Sequence, residues 1–332
     1  MERMDNSALS TYLFPTTKSL LSAGALARVL EAEYGLSGVR CQLLTATLRD
    51  VYLVRSATMR HVLYIYQHGH RSADEIEAEW AFVHYLAANG VPVAPAIPRK
   101  NGELALTFQA PEGRRYGVLA RFAAGQHLRR RPGSPAVESY GHIIAQIHTL
   151  ADAMPQRLNR PPIDLEPLLA QWIDAFAAEV PDRQEDAAYL RKSAAILLPR
   201  IQALPRSKPY YGLVHGDVIR ANAQVSDDGR VTVLDFDLCG FCWRVYDVAS
   251  YLAVIRGLPE EQDSEQAFLR GYQQIRPLND VEKKALPVFE AIRTIFSIGI
   301  PAMNISHWGS AYLHTFLNQE LNRLQLTMNR VR

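Results

Sequence analysis

The sequence predicts an α+β protein of two lobes, a small one built on an antiparallel sheet and a larger, mostly helical one. Short runs rich in β-branched and aromatic residues, separated by polar breaks, fill the first third of the chain. Apolar residues at helical spacing dominate after Pro135. A length of 332 residues allows about two domains. We therefore place the N-terminal lobe at residues 1–122 and the C-terminal lobe at residues 123–332.

The predicted small lobe holds a five-stranded sheet and one main helix. Its strand-like runs lie at 41–44, 51–55, 62–66, 94–99, 104–108 and 118–122. The helix is expected at 73–89, where Ser72 can cap the N-terminus, Glu75 follows three residues later and Gly90 ends the pattern. A shorter helix is expected at 26–34, ended by Gly35.

The large lobe is predicted to be helical except around residues 211–234. Helical spacing covers 136–154, 165–180, 187–203, 246–255, 265–275, 281–296 and 309–328. A net charge of +2 gives no electrostatic footprint for nucleic acid. The first twenty residues hold no sustained apolar stretch, and the apolar run 287–303 is interrupted by Glu290 and Arg293 and is too short to span a bilayer. We expect a cytoplasmic protein with no nucleic-acid or membrane partner; its oligomeric state is not indicated.

Cys239 and Cys242 have the spacing of a redox pair or half a zinc site. No second pair of cysteines or histidines completes a zinc site, and Cys41 stands apart. We interpret the pair as structural, with redox sensitivity as the alternative.

The most informative pattern is a set of oxygen-bearing side chains on two short loops. Asp217 and Asn222 follow the strand-like run 211–214, and Asp235 and Asp237 follow the run 231–234. The residues Asp-Asp-Gly-Arg at 227–230 are typical of a hairpin turn, which would bring the loops side by side. Converging carboxylates repel one another unless a divalent cation lies between them, and Mg²⁺ prefers carboxylate and amide oxygens. The alternative is two acidic surface turns.

The order and spacing of these residues resemble the catalytic core of protein-kinase-like phosphotransferases. The sequence His-Gly-Asp at 215–217 and Asp-Phe-Asp at 235–237 is similar to the aminoglycoside phosphotransferase and homoserine kinase (type II) branch. The resemblance implies Mg²⁺-dependent transfer of the γ-phosphoryl group of ATP, or GTP, to a hydroxyl of a small molecule. It assigns Asp217 as the catalytic base and Asn222 and Asp235 as ligands of Mg²⁺.

Other residues of the two loops have open roles. Asp237 could reach a second metal, hydrogen-bond the substrate or be solvated. Arg220 could neutralise charge on the transferred phosphate, or form a salt bridge with a loop aspartate. The resemblance implies that Asp247 accepts backbone N–H bonds from the catalytic loop. His215 and His148 are interpreted as packed residues of the scaffold rather than acid–base groups.

The nucleotide side departs from the family pattern. The basic residue expected on the third strand is replaced by Tyr64. Its glutamate partner could be Glu79, with Glu75 one turn earlier; the alternative is that these glutamates are solvated on an exposed helix face. The loop after the first strand has no glycine, so the hydroxyls of Thr45 and Thr47 and the guanidinium of Arg49 are our candidates for phosphate binding. Either Arg49 or Arg60 could replace the missing cation.

The resemblance implies that the adenine ring pairs with backbone groups at a hinge at 123–125, with Ala120 and Phe122 just before it as the candidate residues. The alternative is a plain exit from the strand. The acceptor could be an amino alcohol, a sugar or an aminoglycoside, and the large lobe shows no acidic excess that would favour the last. Trp243, Trp308, Tyr312 and Tyr251 could line its pocket or belong to the core. Two other functions remain open, a nucleotide-binding pseudokinase and a bacterial stress-type Ser/Thr protein kinase.

Overall fold

The N-terminal lobe is built on one antiparallel sheet. The computed structural model describes residues 15–130, 134–155 and 158–331. The strands are β1 Arg40–Ala46, β2 Arg49–Arg55, β3 Arg60–Tyr66, β4 Ala105–Ala110 and β5 Gly113–Arg121, in the order β1-β2-β3-β5-β4. The predicted five-stranded sheet is confirmed. The run 94–99 is not one of its strands and contributes only a bridge from Ala96 to Ala120, since Pro95 and Pro98 have no N–H to donate to a ladder.

Two helices accompany this sheet, α1 at Ala23–Tyr34 and α2 at Ala73–Ala88. The predicted capping box of α2 is present: the Ser72 side chain accepts from the Glu75 N–H, and the Glu75 carboxylate accepts from the Ser72 N–H. Apolar residues at helical spacing bury one face of α2 in the main core, which also takes in parts of the C-terminal lobe. Glu79 lies on this helix and is only 1% exposed.

The C-terminal lobe is mostly helical, as predicted. Its helices are α3 Ser134–Ala153, α4 Leu165–Glu179, α5 Gln184–Gln202, α6 Val245–Ile255, α7 Glu261–Gln273, α8 Asp280–Met303, α9 Ile305–Trp308 and α10 Ser310–Met328. The helix α8 is longer than the sequence indicated. In the described part of the chain it is the one helix long and apolar enough to cross a membrane by length and composition, but 67% of its apolar window is buried, as expected for a core helix.

Short strands carry the two motif loops, and their pairing corrects the predicted hairpin. The strands are β6 Gln126–His127, β7 Tyr211–Val214, β8 Ala223–Val225, β9 Val231–Val233 and β10 Gly240–Trp243. The turn at 226–230 joins β9 to β8, whereas β7 pairs with β10. The strand β8 was missed because three residues are too short to show a period-2 pattern.

The loops nevertheless lie side by side, as expected. The Leu234 N–H donates to the Asn222 carbonyl at 2.8 Å, and His215 Nε2 bonds the Leu234 carbonyl at 2.9 Å. Gly216 has a φ of +83°, and a Cβ at this position would lie 2.1 Å from the Leu238 carbonyl oxygen. Glycine is therefore required where the first loop passes the second.

Candidate active site

The backbone of the first loop is held by a buried carboxylate. Asp247, at the start of α6 and 0% exposed, accepts the N–H groups of His215 at 2.7 Å and Gly216 at 2.8 Å. The same carboxylate bonds His148 Nε2 at 2.9 Å. Although burial raises the pKa of Asp247, its bonds to His148 and the loop hold that pKa below its usual range. The predicted scaffold roles of Asp247, His148 and His215 are confirmed by these contacts.

Asp217 projects from this loop with both carboxylate oxygens engaged. Its Oδ1 accepts from Arg293 at 2.6 Å, and its Oδ2 accepts from Asn222 Nδ2 at 2.6 Å. Arg293 lies on α8 and is only 4% exposed. Two donors from different elements fix the carboxylate in one orientation, and each oxygen keeps acceptor capacity for a substrate hydroxyl.

Asp235 faces the same cavity from the second loop. Its side chain is 43% exposed, and its backbone φ of +64° is uncommon for a non-glycine residue. Such a conformation costs of order 1–3 kcal/mol and occurs preferentially at functional sites. In this structure its Oδ1 lies 2.5 Å from a guanidinium nitrogen of Arg49.

The donor set around Asp235 fits a hard divalent cation shared with a phosphate. Because the Asn222 amide nitrogen donates to Asp217, its oxygen is the atom left for a metal. Within the described residues no three His, Cys, Asp or Glu side chains form a cluster that could hold an ion alone. Mg²⁺ is commonly bound by one or two protein groups plus substrate phosphates, so two such groups are enough.

Asp237 lines the same cavity, but basic side chains bind it in this structure, and its metal role stays a prediction. It is 3% exposed, and its carboxylate bonds His70 Nε2 at 2.8 Å and Arg71 Nε at 3.0 Å, while its carbonyl accepts from Arg71 and Arg160. Although burial raises the pKa of Asp237, these basic partners hold it well below its usual range. Both oxygens are bonded to side chains of residues 70 and 71, so Asp237 ties the second loop to the residues just before α2.

Arg49 occupies the place of the missing strand cation. Its guanidinium donates to Glu79 at 3.1 Å and to the Tyr66 hydroxyl at 3.1 Å, and lies 4.5 Å from the Tyr64 ring centroid. The cation thus comes from β2 instead of β3, and Tyr64 supports it through a cation–π contact. Arg60, the other candidate, lies over the Phe122 ring at 4.3 Å and takes no part in this cluster.

Glu79 is buried rather than solvated, and its pKa reflects that environment. Burial raises the pKa of Glu79 to about 7, against the opposing effect of Arg49. Arg49 is 4% exposed, and the neighbouring Asp235, Tyr66 and Glu79 keep its pKa above the usual value despite its burial. Arg49 therefore stays protonated at the cavity wall, with Glu79 as its buried partner.

The loop between β1 and β2 lines the same cavity without glycines. Thr45, Thr47 and Arg49 all contribute to the wall, as expected for phosphate-binding candidates. Lys18 donates to the carbonyls of Ala46 and Thr47 at 3.0 and 3.1 Å. The loop is thus held by a side chain from the N-terminal segment.

The predicted adenine-binding residues lie at the exit of β5. Ala120 is fully buried, pairs with Val62 of β3 and forms the bridge to Ala96. Phe122 is half-buried, with the Arg60 guanidinium over its ring. Neither side chain lines the main cavity. Gly125 follows, with a φ of +115° that L side chains rarely adopt. Backbone pairing with an adenine ring at this exit stays a prediction.

Arg220 does not occupy the catalytic position that we predicted. Its guanidinium bonds Glu260 at 2.6 Å, and it is not among the residues that line the cavity. The alternative of a salt bridge is correct, although the partner is a glutamate before α7 and not a loop aspartate. Arg220 is therefore held by Glu260 outside the lining of the cavity in this structure.

The aromatic residues proposed for the acceptor pocket and the two neighbouring cysteines lie mostly in the core. Trp243 and Tyr251 are 3% and 0% exposed inside hydrophobic clusters, whereas Trp308 lines the cavity; the side chain of Tyr312 lies outside the described residues. Cys239 and Cys242 are buried, and burial raises the pKa of both thiols, so the structural interpretation fits.

One cavity of about 480 Å³ joins these groups. The loop after β1, Asp217 and Asp235 form one half, and residues of α8, α9 and α10 form the other. This volume is typical of a small-molecule site. Sequence reasoning missed Arg293, Lys18, His70, Arg71 and Arg160. The signal for Arg293 was present, since it is a charged residue inside an apolar helix.

Comparison with known proteins agrees with this geometry. The profile of the phosphotransferase enzyme family (APH) matches residues 41–278. An uncharacterised protein of Deinococcus radiodurans is 32% identical over 312 residues, which cover 92% of this chain and 90% of that protein. Amicoumacin kinase of Bacillus subtilis is 25% identical over 287 residues, which cover 81% of this chain and 82% of that protein.

A solved structure of an amicoumacin kinase in complex with AMP-PNP, Ca²⁺ and Ami superposes with a TM-score of 0.76. It is 19% identical and covers 91% of this chain and 94% of its own, so the similarity shows the fold alone. The predicted bilobal, protein-kinase-like architecture is confirmed. Since the family profile spans most of the chain and includes both motif loops, this protein belongs to the phosphotransferase enzyme family.

Proposed function

We propose that the protein is a kinase that moves the γ-phosphoryl group of ATP or GTP to a hydroxyl group of a small molecule, with Mg²⁺ bound to the nucleotide. The observation that carries this proposal is the convergence of Asp217, Asp235 and Arg49 on one cavity. A base, a metal-binding carboxylate and a phosphate-binding cation are the groups that phosphoryl transfer requires.

Asp217 is the base in this proposal. A hydroxyl that enters from the α8–α10 side would donate its hydrogen bond to the carboxylate and lose its proton there as the new O–P bond forms. The bond between the γ-phosphorus and its bridging oxygen would break in the same transfer, and the nucleoside diphosphate would leave. Arg293 and Asn222 hold the carboxylate, so no rotation is needed before reaction. Such positioning lowers the entropic part of the barrier.

Asn222 and Asp235 are the protein's share of the metal site, and Mg²⁺ there would neutralise charge that develops on the phosphates. Arg49 is paired with Asp235 in this structure. With Asp235 bound to a cation, Arg49 would lose that partner and could donate to the α- and β-phosphates. Glu79 keeps the guanidinium in place throughout, because it bonds a different nitrogen.

Two observations support this choice over a nucleotide-binding pseudokinase. That hypothesis rested on Tyr64 and the glycine-free loop, and the Arg49–Glu79 pair restores the cation that Tyr64 lacks. The relatives also support a kinase. The name amicoumacin kinase describes an enzyme that acts on a small molecule, and the solved amicoumacin kinase structure contains AMP-PNP and Ca²⁺.

The test is nucleotide consumption by the purified full-length protein. ATP and GTP are each offered with Mg²⁺ and a panel of amino alcohols, sugars and aminoglycosides. The wild type should consume nucleotide in an acceptor-dependent way. Asp217→Asn and Asp235→Ala should each lose at least 10²-fold, on the order of what removal of one transition-state contact costs. Asp228→Asn, in the exposed turn before β9, is the matched control and should keep its rate. Full activity in either site variant would refute the proposed roles.

A further inference from the structure

The part of the cavity beyond Asp217 is mainly apolar. Its wall comes from the C-terminal half of α8 and from α10, and it consists mainly of apolar side chains: Phe296, Ile300, Pro301, Leu313, Phe316 and Leu317. Such a wall offers few hydrogen bonds to the hydroxyls of a sugar. Polar groups that lose water without new partners weaken binding.

The two charged side chains on this wall are already paired within the chain. Arg293 is bound to Asp217 at 2.6 Å. Glu320 is bound to Arg323 at 2.5 Å and is 13% exposed. No uncompensated carboxylate therefore faces this half of the cavity among the described lining residues. A polycationic acceptor would meet no surplus of negative charge, whereas one amine near the reacting hydroxyl could still approach Asp217 and Asp235.

Phe316 marks the outer edge of this wall. It is 47% exposed although it is a large apolar residue, and it lines the same cavity as Asp217. An apolar body bound there would remove its ring from water, which is favourable in proportion to the area covered. Because the wall is continuous with the proposed base, a bound acceptor can touch both.

We infer that the acceptor is a hydroxyl compound with an apolar body, a ring or a branched alkyl group, which packs against the α8–α10 wall while its hydroxyl reaches Asp217. This inference rests on the proposed function and narrows it: apolar alcohols are preferred over short polar amino alcohols, sugars and aminoglycosides. It follows from the wall's composition and not from the substrate of any relative.

Three amino alcohols with one amine and one hydroxyl each test the inference: 1-amino-2-propanol, leucinol and phenylalaninol, with glucose and kanamycin as polar comparisons. The readout is kcat/KM from Mg²⁺-dependent nucleotide consumption. We expect phenylalaninol or leucinol to exceed 1-amino-2-propanol by about tenfold or more, the lower end of what added apolar groups give in a hydrophobic pocket. Equal or higher values for 1-amino-2-propanol, glucose or kanamycin would overturn the inference.

Phe316→Ser should reduce that preference by about tenfold, since it removes part of the apolar wall. Leu326→Ser is the matched control, because Leu326 lies on the same helix, is 62% exposed and does not line the cavity. An unchanged preference in Phe316→Ser would also overturn the inference.

Binding separates this inference from the proposed function. The thermal shift caused by each amino alcohol is measured in the presence of Mg²⁺ and a non-hydrolysable nucleotide, which needs no turnover. A larger shift with phenylalaninol than with 1-amino-2-propanol, lost in Phe316→Ser, supports the apolar site even if no phosphate is transferred. No difference between the two compounds refutes the apolar site even if nucleotide is consumed.

Discussion

Replacement of Arg49 by methionine should separate the structural from the catalytic role of this guanidinium. Arg49 and Glu79 are 4% and 1% exposed and lie 3.1 Å apart, so the variant leaves a buried carboxylate without its cation. Loss of one partner from a buried pair costs about 3–5 kcal/mol. Burial already raises the pKa of Glu79 to about 7. The orphaned group can therefore take up a proton, which favours the lower end of that range.

The ion pair with Asp235 should add little to this loss. Asp235 is 43% exposed, and solvent screens such a pair to about 0–1 kcal/mol. The guanidinium of Arg49 should matter mainly for activity, since it is the proposed contact to the phosphates. Loss of one preorganised charge at a transition state lowers the rate by about 10²–10³-fold.

The double variant Arg49→Met/Glu79→Gln distinguishes the two effects. Glutamine removes the orphaned charge, so the free energy of unfolding in urea should recover most of the loss. Mg²⁺-dependent nucleotide turnover should stay about 10²–10³-fold below the wild type. If turnover recovers together with stability, Arg49 has only a structural role and the reasoning about the strand cation is wrong.

Three further substitutions test the scaffold. Burial lowers the pKa of His148 to about 4, below its ordinary 6.5. Its contribution to stability is therefore complete above pH 6.5 and is lost as the pH falls towards 4, by about 3 kcal/mol. The free energy of unfolding of His148→Gln, measured in urea, should vary less with pH across that range. Asp247→Asn should lower the free energy of unfolding by about 1–3 kcal/mol, because an amide nitrogen then faces the loop N–H groups, and kcat should fall more than KM changes. Arg220→Ala should keep turnover within about threefold, since that guanidinium bonds Glu260 outside the cavity lining and a partly exposed pair contributes about 1 kcal/mol or less; a hundredfold loss would restore its catalytic role.

The sequence predicted well what short-range patterns decide. The capping box at Ser72 and Glu75 depends on neighbouring residues, and the strands of the sheet depend on runs of β-branched and aromatic residues. The capping box and all five strands are present, and the run 94–99 is the one predicted strand that the sheet lacks. The spacing of Asp217, Asn222 and Asp235 also correctly predicted that the two loops lie side by side, although the predicted hairpin between the strands before the loops was wrong. The strand β7 pairs with β10, and only tertiary packing decides between such partners.

Long-range ion pairs were the part that the sequence could not give. Arg293 reaches Asp217 across 76 positions, and Arg71 reaches Asp237 across 166. Nothing in the local sequence of Asp237 distinguishes a metal ligand from a carboxylate already bound by basic residues. The choice of Arg49 over Arg60 likewise depended on which guanidinium faces Glu79, and that is set by the register of β2 against β3.

Nucleotide affinity with and without Mg²⁺ tests most directly whether Asp235 and Asn222 form a metal site. Calorimetric titration of ATP and GTP into the wild type should show tighter binding with Mg²⁺ than with EDTA. In Asp235→Asn and Asn222→Ala the gain should shrink by on the order of 10-fold or more, as expected when a metal loses a protein group. An equal gain from Mg²⁺ in wild type and both variants would show that these side chains do not hold the ion.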